Sequence, residues 1–493
     1  MAKDKLETTT EAISDTMFCY NCVNYNRETQ NCNAKNLQMH EKQSCIDYNK
    51  TKDINLTKEE IDDIIIKGNK KNKTLNKQFS AFTPYDSVKA FYNLQPFFYD
   101  KNRLFWFWNA KNYSYEIVDE IDLMNQLEKD LELQGQTFGS KLKGEYLECF
   151  KRIGRLKKPE EPLKEWIQFK DKIYDLKTER TFYANEKYFF TNPIGWEIGE
   201  RPYTPVMDGL FKEWVGEEYV QTLYELLAYC CYRSYPIQLL FCLWGNGRNG
   251  KSQFLKILDK FIGFNNATST ELDLLVNNRF ESFKLYKKLT CLIGETNFGV
   301  LNNTSIIKKL TGGDKIGFEK KNKDPFDDYN YAKMIIASNS LPSSQDTSDG
   351  FYRRWLIIDF PNEFEDLGQE VWEKVPKEEY ENLAKKVVLI LGDLLNKGMF
   401  TNQGSISQRR KKYMSVSNPL GIFIKEKCFV KSDLYVLYSK FYTEYLHYLQ
   451  INKRRRISRK EFKSALEDEG FIVEKTTKEF ESGYYILGMK IID

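Results

Sequence analysis

The stretch "FCLWGNGRNGKSQFL", residues 241–255, joins an apolar run to a glycine-rich turn that ends in a lysine and a serine. The spacing Gly-x4-Gly-Lys-Ser between a strand and a helix is typical of a phosphate-binding loop, because glycines let backbone N–H groups approach the phosphate oxygens. The lysine would reach the β and γ phosphates, and the serine would ligate magnesium. The predicted ATP and magnesium site comprises Gly245, Asn246, Gly247, Arg248, Asn249, Gly250, Lys251, Ser252 and Gln253.

Polar side chains also stand next to three further apolar runs. Glu295 follows "KKLTCLIG", where a carboxylate can polarise the attacking water or hold magnesium through water, although a surface glutamate would look the same. Asn339 follows "AKMIIAS" and is suited to hydrogen-bond the γ phosphate or that water. Arg353 and Arg354 precede "WLIIDF", from where a guanidinium could reach a neighbouring subunit's nucleotide. The sequence does not distinguish between the two arginines.

The apolar runs indicate the strands that would position these site residues. Short apolar runs alternate with helical stretches between residues 237 and about 361, a pattern that predicts an α/β core with a mostly parallel sheet. With a further helix over 376–400, we assign residues 236–400 to an ATPase domain. Residues 78–150 predict a small aromatic α+β unit, with a hairpin followed by a helix, and residues 151–235 predict a helical domain.

The C-terminal part of the chain predicts a separate unit. Residues 401–418 are polar and indicate a linker. Residues 419–493 predict a winged helix-turn-helix: a helix around 432–449, a basic turn, a second helix opened by the capping box Ser458-x-x-Glu461, and a hairpin. We expect the second helix to enter a major groove, with the basic turn on the DNA backbone. The basic residues assigned there are Arg454, Arg455 and Arg456.

Four of the ten cysteines crowd into residues 1–50, with the spacing Cys19-x2-Cys22-x9-Cys32-x12-Cys45. Four thiolates can close a tetrahedral zinc site, and His40 could replace the last cysteine. Free thiols or an iron–sulfur cluster are the alternatives. The other six cysteines lie in apolar surroundings and look like core residues. The polar residues 51–77 indicate a linker.

Composition limits the class of protein. A chain of 493 residues is long enough for about three domains. Its apolar stretches are far shorter than a bilayer span, and the first residues lack a signal-peptide core, so we expect a cytoplasmic protein without a membrane segment. A net charge of +4 is too small for a uniformly basic coat. Any surface that binds DNA must therefore be local, as in the basic runs at 67–73, 320–323, 409–412 and 453–456.

The order of these motifs resembles that of the superfamily 3 helicases. The similar segments are "GNGRNGKS", "LTCLIGETN", "IIKKLTGGDKIGFEKKNKDPF", "MIIASNSLP" and "DGFYRRWLIIDF". Within that superfamily the chain looks like the phage and plasmid primase-helicases related to the poxvirus helicase-primase, in which a helical collar domain precedes the ATPase. The resemblance covers residues 90–361 well and the C-terminal region loosely. It implies a replication protein of a phage or mobile element, acting in a bacterial cytoplasm.

The resemblance also implies an assembly and a substrate. The expected form is a hexameric ring of AAA+-like subunits that translocates 3′ to 5′ on single-stranded DNA. The segment of residues 313–334 looks like the family's pore hairpin, with Lys320, Lys321 and Lys323 near its tip to grip phosphates. One departure concerns magnesium, because Gly294 stands where the family often has a second acidic residue. Magnesium would then depend more on Ser252 and water.

The predicted function is that of an ATP-driven replicative DNA helicase acting on single-stranded and forked DNA, and the C-terminal domain could also recognise origin duplex. Primer synthesis is not expected, because the aromatic unit around Asp100 offers no convincing carboxylate pair and the only histidines are His40 and His447. The alternative is a DNA-binding protein in which the nucleotide switches assembly without unwinding.

Overall fold

The computed structural model describes residues 25–26, 31–32, 83–133, 139–294, 300–301, 303–365, 370–451, 456–478 and 481–492. The chain divides into two compact units, one of Met1–Phe91 with Met124–Cys149 and the other of Tyr92–Leu123 with Phe150–Asp493. In the first unit, β1 (Tyr25–Asn26) pairs antiparallel with β2 (Asn31–Cys32). The boundaries between the units fall within three helices, α1 (Pro84–Leu94), α2 (Glu120–Leu133) and α3 (Lys143–Leu156).

Two small antiparallel sheets come first in the second unit. One contains β3 (Phe97–Tyr99), β4 (Phe105–Asn109) and β5 (Ser114–Val118), and the other contains β6 (Trp166–Phe169), β7 (Lys172–Asp175) and β8 (Arg180–Tyr183). The second sheet lies where the sequence predicts helix, so that prediction is wrong for residues 166–183. Apolar residues three and four apart suggested a helical face, but tight turns at Lys170 and Glu179, both with positive φ, break the segment into strands.

The centre of the second unit is a five-stranded parallel sheet. Its strands are β9 (Leu240–Trp244), β10 (Ala267–Thr270), β11 (Thr290–Ile293), β15 (Lys333–Ser338) and β17 (Trp355–Asp359). They are arranged in the order β10-β11-β15-β9-β17. The four apolar runs predicted as strands are confirmed. The edge strand β10 was not predicted, because "ATST" lacks an apolar pattern.

Both faces of this sheet are buried, as a parallel sheet requires. Phe241 and Leu243 of β9 point into one apolar cluster, and Leu240, Cys242 and Trp244 point into another. The first cluster contains side chains of α4 (Pro205–Val215), α5 (Glu217–Cys230), α6 (Lys251–Ile262) and α10 (Lys377–Lys397). The alternation along β9 follows from the period of two residues in a strand.

The other face of the sheet carries shorter elements. In chain order these are α7 (Leu272–Asn277), β12 (Val300–Leu301), α8 (Ser305–Gly312), β13 (Lys315–Phe318), β14 (Phe326–Tyr329), β16 (Ser343–Ser344), α9 (Asp349–Tyr352) and α11 (Ile406–Ser417). Strands β13 and β14 form an antiparallel hairpin, and β12 pairs with β16.

Single 3-10 turns occupy Ser140–Leu142, Phe264–Asn266, Glu281–Leu285 and Val371–Lys374.

Helix α11 corrects the prediction of a polar linker over 401–418. Ser405 and Gln408 form a capping box at its start, and Tyr413 is buried in the same apolar cluster as Trp355 of β17. Lys412 pairs with Asp359 at 2.9 Å. The basic run "RRKK" made the segment look solvated, but its apolar face packs on the edge strand of the sheet.

The C-terminal residues form a separate apolar cluster. Its elements are α12 (Pro419–Lys427), β18 (Cys428–Leu437), α13 (Tyr438–Ile451), α14 (Arg459–Asp468), β19 (Val473–Lys478) and β20 (Glu481–Ile491). The capping box of Ser458 and Glu461 is confirmed. The helix predicted from 432 begins at Tyr438, because "FVKSDLYVL" pairs with β20 as a strand. Within the described residues, no helix is long and apolar enough to cross a membrane.

Candidate functional site

The glycine-rich turn lies between β9 and α6, as its spacing predicts. Strand β9 is buried along its whole length, and α6 begins at Lys251. Gly247 and Gly250 have φ values of +117° and +88°, which favour glycine. A Cβ on Gly250 would lie 2.5 Å from the Trp214 ring, and one on Gly245 would lie 2.6 Å from the Phe360 carbonyl oxygen. Backbone conformation and crowding therefore both require glycine in this turn.

Lys251 and Asn339 are brought together across two neighbouring strands. The Lys251 ammonium donates to the Gly245 carbonyl at 2.7 Å and to the Asn339 side-chain oxygen at 3.2 Å. Asn339 follows β15, and its carbonyl accepts a hydrogen bond from the Trp244 indole at 3.1 Å. Lys251 is only 7% exposed, whereas Ser252 is exposed at the first turn of α6. A buried cation and an exposed hydroxyl thus stand at the N-terminus of a helix, where anions are favoured.

The conformation of the turn is fixed partly by its own side chains. The Asn249 carboxamide accepts from the Gly247 N–H at 2.5 Å and donates to the Asn362 carbonyl at 2.7 Å. The Arg248 carbonyl accepts from the Phe364 N–H at 2.9 Å. The segment that follows β17 therefore holds the turn from outside. Neither this segment nor Trp214 carried a sequence signal, because both contacts join residues far apart in the chain.

The remaining residues of the predicted loop point in different directions. Asn246 and Arg248 are exposed. Gln253 donates to Glu370 at 3.0 Å and accepts from the Trp372 N–H at 3.2 Å. These contacts tie α6 to the residues that precede α10. Strand β11 ends at Ile293, on the same edge of the sheet as the turn, and Glu295 lies outside the described residues.

Arg353 and Arg354 lie near the amino-terminal ends of the parallel strands, opposite the glycine-rich turn, which follows the carboxyl end of β9. They precede β17, and the register pairs Trp355 with Leu240 at the start of β9, whereas the turn follows the end of β9. Arg354 is 6% exposed and donates to Thr311 at 3.0 Å and to the carbonyls of Lys308 and Gly350. Burial and the charge of Arg353 lower the pKa of Arg354. These contacts give Arg354 a structural role within its own subunit.

Arg353 is half-buried and has a different environment. Its guanidinium donates to the Gln238 side-chain oxygen at 2.6 Å, and its carbonyl accepts from Arg409 of α11. Burial and the charge of Arg353 lower the pKa of Arg409 as well. The charge of Arg353 therefore acts on two other guanidinium groups near the start of β17, those of Arg354 and Arg409. The position of Arg409 within a basic run gave no hint of this contact.

The three lysines of the basic run at 320–323 lie at the tip of the hairpin formed by β13 and β14, and we call them the hairpin lysines: Lys320, Lys321 and Lys323. All three are exposed. Lys323 forms a loose ion pair with Glu120 at 3.5 Å, and Lys320 lies 5.6 Å from the Phe283 ring centre. Exposed pairs of this kind contribute little to stability, so the lysines remain available to another anion.

Several other predicted site residues lie wholly or partly outside the residues that the structure describes. Cys19, Cys22, Cys45, His40, Arg454 and Arg455 are outside it, and only the backbone of Cys32 is described, in β2. Arg456 is exposed before α14. The part of the chain that the structure describes contains no cluster of three or more potential metal ligands. Of the other six cysteines, five are buried and Cys149 is partly buried, which confirms the prediction of core positions for those five.

Comparisons with known proteins bear on the central part of the chain. Residues 243–354 match a family of unknown function, DUF5906. Over 154 residues, 30% of this chain, the sequence is 28% identical to the "Putative helicase" of Acanthamoeba polyphaga mimivirus. The match spans only 16% of the length of that viral protein.

Solved structures of the NrS-1 C-terminal region are among those that match this chain. One apo structure has a TM-score of 0.46 and 13% identity, covering 82% of this chain and 99% of the other. Its A form has a TM-score of 0.45 and 14% identity, with the same coverage. The structure itself has a mixed α/β core that contains a five-stranded parallel sheet. The sequence has local similarity to a viral protein named as a helicase.

Proposed function

We propose that the chain is an ATP-dependent replicative DNA helicase of a virus or mobile genetic element. The observation that carries this proposal is the meeting of Lys251 and Asn339 beside a glycine-rich turn at the carboxyl edge of a parallel sheet. Ligands of open α/β sheets bind at that edge. The local similarity to the mimivirus protein named as a helicase supports this proposal.

The donors at the turn suit a triphosphate with magnesium. The backbone N–H groups of the turn and the Lys251 ammonium supply positive charge, and the exposed Ser252 hydroxyl is free to approach a hydrated cation. We assign Lys251 to the β and γ phosphates, Ser252 to magnesium, and Asn339 to the γ phosphate or the attacking water. Glu295 would polarise that water or hold magnesium through a second water.

The arginine that acts on the nucleotide is proposed to come from a neighbouring subunit. Strand β17 is five residues long, so Arg353 stands at least about 15 Å from its own glycine-rich turn. An arginine side chain cannot span that distance. If the end of β17 that carries Arg353 faces a neighbouring subunit, the guanidinium would instead reach the nucleotide bound by that subunit. Because Arg354 is committed to Thr311 and two carbonyls, we assign this role to Arg353. A closed ring, with six subunits as the expected number, provides such contacts.

The hairpin lysines are proposed to contact single-stranded DNA. Exposed ammonium groups at the tip of a two-stranded hairpin can bind backbone phosphates without reading the sequence. The C-terminal order of helix, strand, two helices and two strands supports a winged-helix assignment for residues 419–493, with α14 as the helix that would contact origin duplex. This second DNA contact would give the protein a preference for its own origin.

A structural zinc ion is also proposed for the N-terminal cysteines, Cys19, Cys22, Cys32 and Cys45. Elemental analysis of freshly purified protein should find about one zinc per chain, and the double variant Cys19→Ser/Cys22→Ser should lose it. Protein that contains no zinc before any chelator is added would refute this assignment.

The nucleotide assignment is tested by ATP binding and hydrolysis with and without single-stranded DNA. We expect DNA to accelerate hydrolysis, Lys251→Ala to lose both binding and hydrolysis, and Glu295→Gln to bind ATP without hydrolysing it. Lys284→Ala removes an exposed lysine that pairs with Glu281 away from the turn, and it serves as the control. Hydrolysis by Lys251→Ala at the wild-type rate would refute the assignment of the site.

A further inference from the structure

Gln238 connects two parts of the molecule that the proposed function treats separately. It lies two residues before β9, at the edge of the sheet opposite the glycine-rich turn. Since Leu240 of β9 is in register with Trp355 of β17, continuing the pairing by two residues places Gln238 opposite Arg353. Its side chain is half-buried between β17 and the end of α8.

The Gln238 carboxamide accepts one hydrogen bond and donates another. Its oxygen accepts from the Arg353 guanidinium at 2.6 Å, and its nitrogen donates to the Gly312 carbonyl at 2.7 Å. A guanidinium offers only donors and a carbonyl only an acceptor, so the bridging group must be both acceptor and donor. Among side chains of this length, glutamine meets that requirement, whereas glutamate and lysine each satisfy one partner only.

Gly312 is the last residue of α8 and lies at the base of the hairpin. It is followed by Gly313, with a φ of +76°, then by Asp314 and the first strand of the hairpin, β13. A Cβ on Gly312 would lie 2.8 Å from the Asp314 carboxylate and 3.4 Å from the Arg354 guanidinium. Only Gly313 and Asp314 separate Gly312 from the first residue of β13, so the Gly312 carbonyl is joined to the hairpin by a short stretch of chain. A displacement of the hairpin would therefore reach Gln238 through the Gly312 carbonyl.

We propose that Gln238 is a positioning residue that couples the hairpin to Arg353. When the hairpin lysines bind a strand of DNA, the shift of β13 is passed through Gly312 to Gln238, which sets the position of the Arg353 guanidinium toward the neighbouring subunit's nucleotide. This inference rests on the proposed function, in which Arg353 acts between subunits and the hairpin contacts DNA. It adds the physical link through which DNA binding would accelerate ATP hydrolysis.

The test compares ATP hydrolysis by the full chain with and without a saturating oligo-dT strand. Gln238→Leu removes both hydrogen bonds, whereas Gln238→Glu keeps an acceptor for Arg353 but cannot donate to the Gly312 carbonyl. Gln221→Leu makes the same substitution on an exposed position of α5 and is the matched control. Couplings between sites are commonly about 5–150-fold, so we expect both Gln238 variants to lose about 5-fold or more of the stimulation by DNA. Binding of ATP and of oligo-dT should not change.

The outcomes separate this inference from the proposed function. If the wild-type protein hydrolyses ATP no faster with oligo-dT, the helicase proposal fails and the coupling fails with it. If the wild type and Gln221→Leu are stimulated and a folded Gln238→Leu is stimulated equally, the coupling alone is wrong. If Gln238→Glu keeps full stimulation while Gln238→Leu loses it, Gln238 merely holds Arg353, and transmission from Gly312 is refuted. Gln238→Glu decides the question even if Gln238→Leu does not fold.

Discussion

Substitution of Gly250 by alanine tests the geometry of the glycine-rich turn. The φ of +88° disfavours any residue with a Cβ, which costs about 1–3 kcal/mol. The new Cβ would also lie 2.5 Å from the Trp214 ring, and overpacking of this kind costs about 1–3 kcal/mol more. We therefore expect Gly250→Ala to lower the free energy of unfolding by roughly 2–6 kcal/mol, and to weaken ATP binding because the turn must open.

Two other glycines serve as matched controls for Gly250→Ala. Gly247 and Gly216 also have positive φ, of +117° and +76°, but a Cβ on either would meet no atom within 4 Å. Gly247→Ala and Gly216→Ala should therefore incur only the backbone cost of about 1–3 kcal/mol, and Gly216→Ala should leave ATP binding unchanged. Thermal unfolding followed by circular dichroism, with ATP titrations, ranks the three variants. If Gly250→Ala is no less stable than Gly247→Ala, the packing of Trp214 against the turn is wrong.

Three further predictions concern the arginines, the hairpin and one partly buried carboxylate. Arg353→Ala should retain the wild-type melting temperature and ATP binding but lose about 10³-fold or more in the rate of ATP hydrolysis. Adding Lys251→Ala protein should restore part of that rate. If rings shown to contain both variants recover no activity, Arg353 does not act between subunits. Arg354→Ala should instead lower the melting temperature, because Thr311 and two carbonyls lose their donor. Alanine at all three hairpin lysines should weaken binding to single strands of any sequence and reduce its salt slope by about one unit per lost contact; an unchanged slope would remove them from the DNA contact. Burial raises the pKa of Asp346. Hydrogen bonds from the side chains of Lys308, Ser348 and Thr304 outweigh that effect and hold the pKa well below the usual range. The stability that Asp346 contributes is thus present above about pH 4 and lost as the pH falls further, so the difference in melting temperature between wild type and Asp346→Asn should shrink from pH 7 to pH 3; a difference independent of pH would contradict this.

The parts of the fold that the sequence predicts correctly are those with strong local patterns. The strand, turn and helix around Gly250 follow from glycine spacing and an apolar run, and the capping box at Ser458 follows from residue types three apart. The predictions fail where one pattern fits two structures. Residues 166–183 have apolar spacing compatible with a helix, but their pairing with one another, which no local pattern reveals, makes them strands.

The candidate functional site shows the same division. Lys251 and Asn339 could be named separately, because Lys251 closes the glycine-rich turn and Asn339 directly follows an apolar run. That they share a hydrogen bond depends on the order of strands in the sheet, which places β15 beside β9. Gln238 could not be identified from sequence at all. Its proposed role rests on hydrogen bonds to two partners, Gly312 and Arg353, that lie more than seventy residues away along the chain.

Strand separation tests the central claim most directly. A forked DNA duplex with one labelled strand is mixed with the full chain and either ATP or a non-hydrolysable analogue, in the presence of magnesium. The helicase proposal predicts release of the labelled strand with ATP only, by the wild type and not by Lys251→Ala. A protein that binds ATP and the fork but never releases the strand would contradict the proposal and favour a nucleotide-controlled assembly switch.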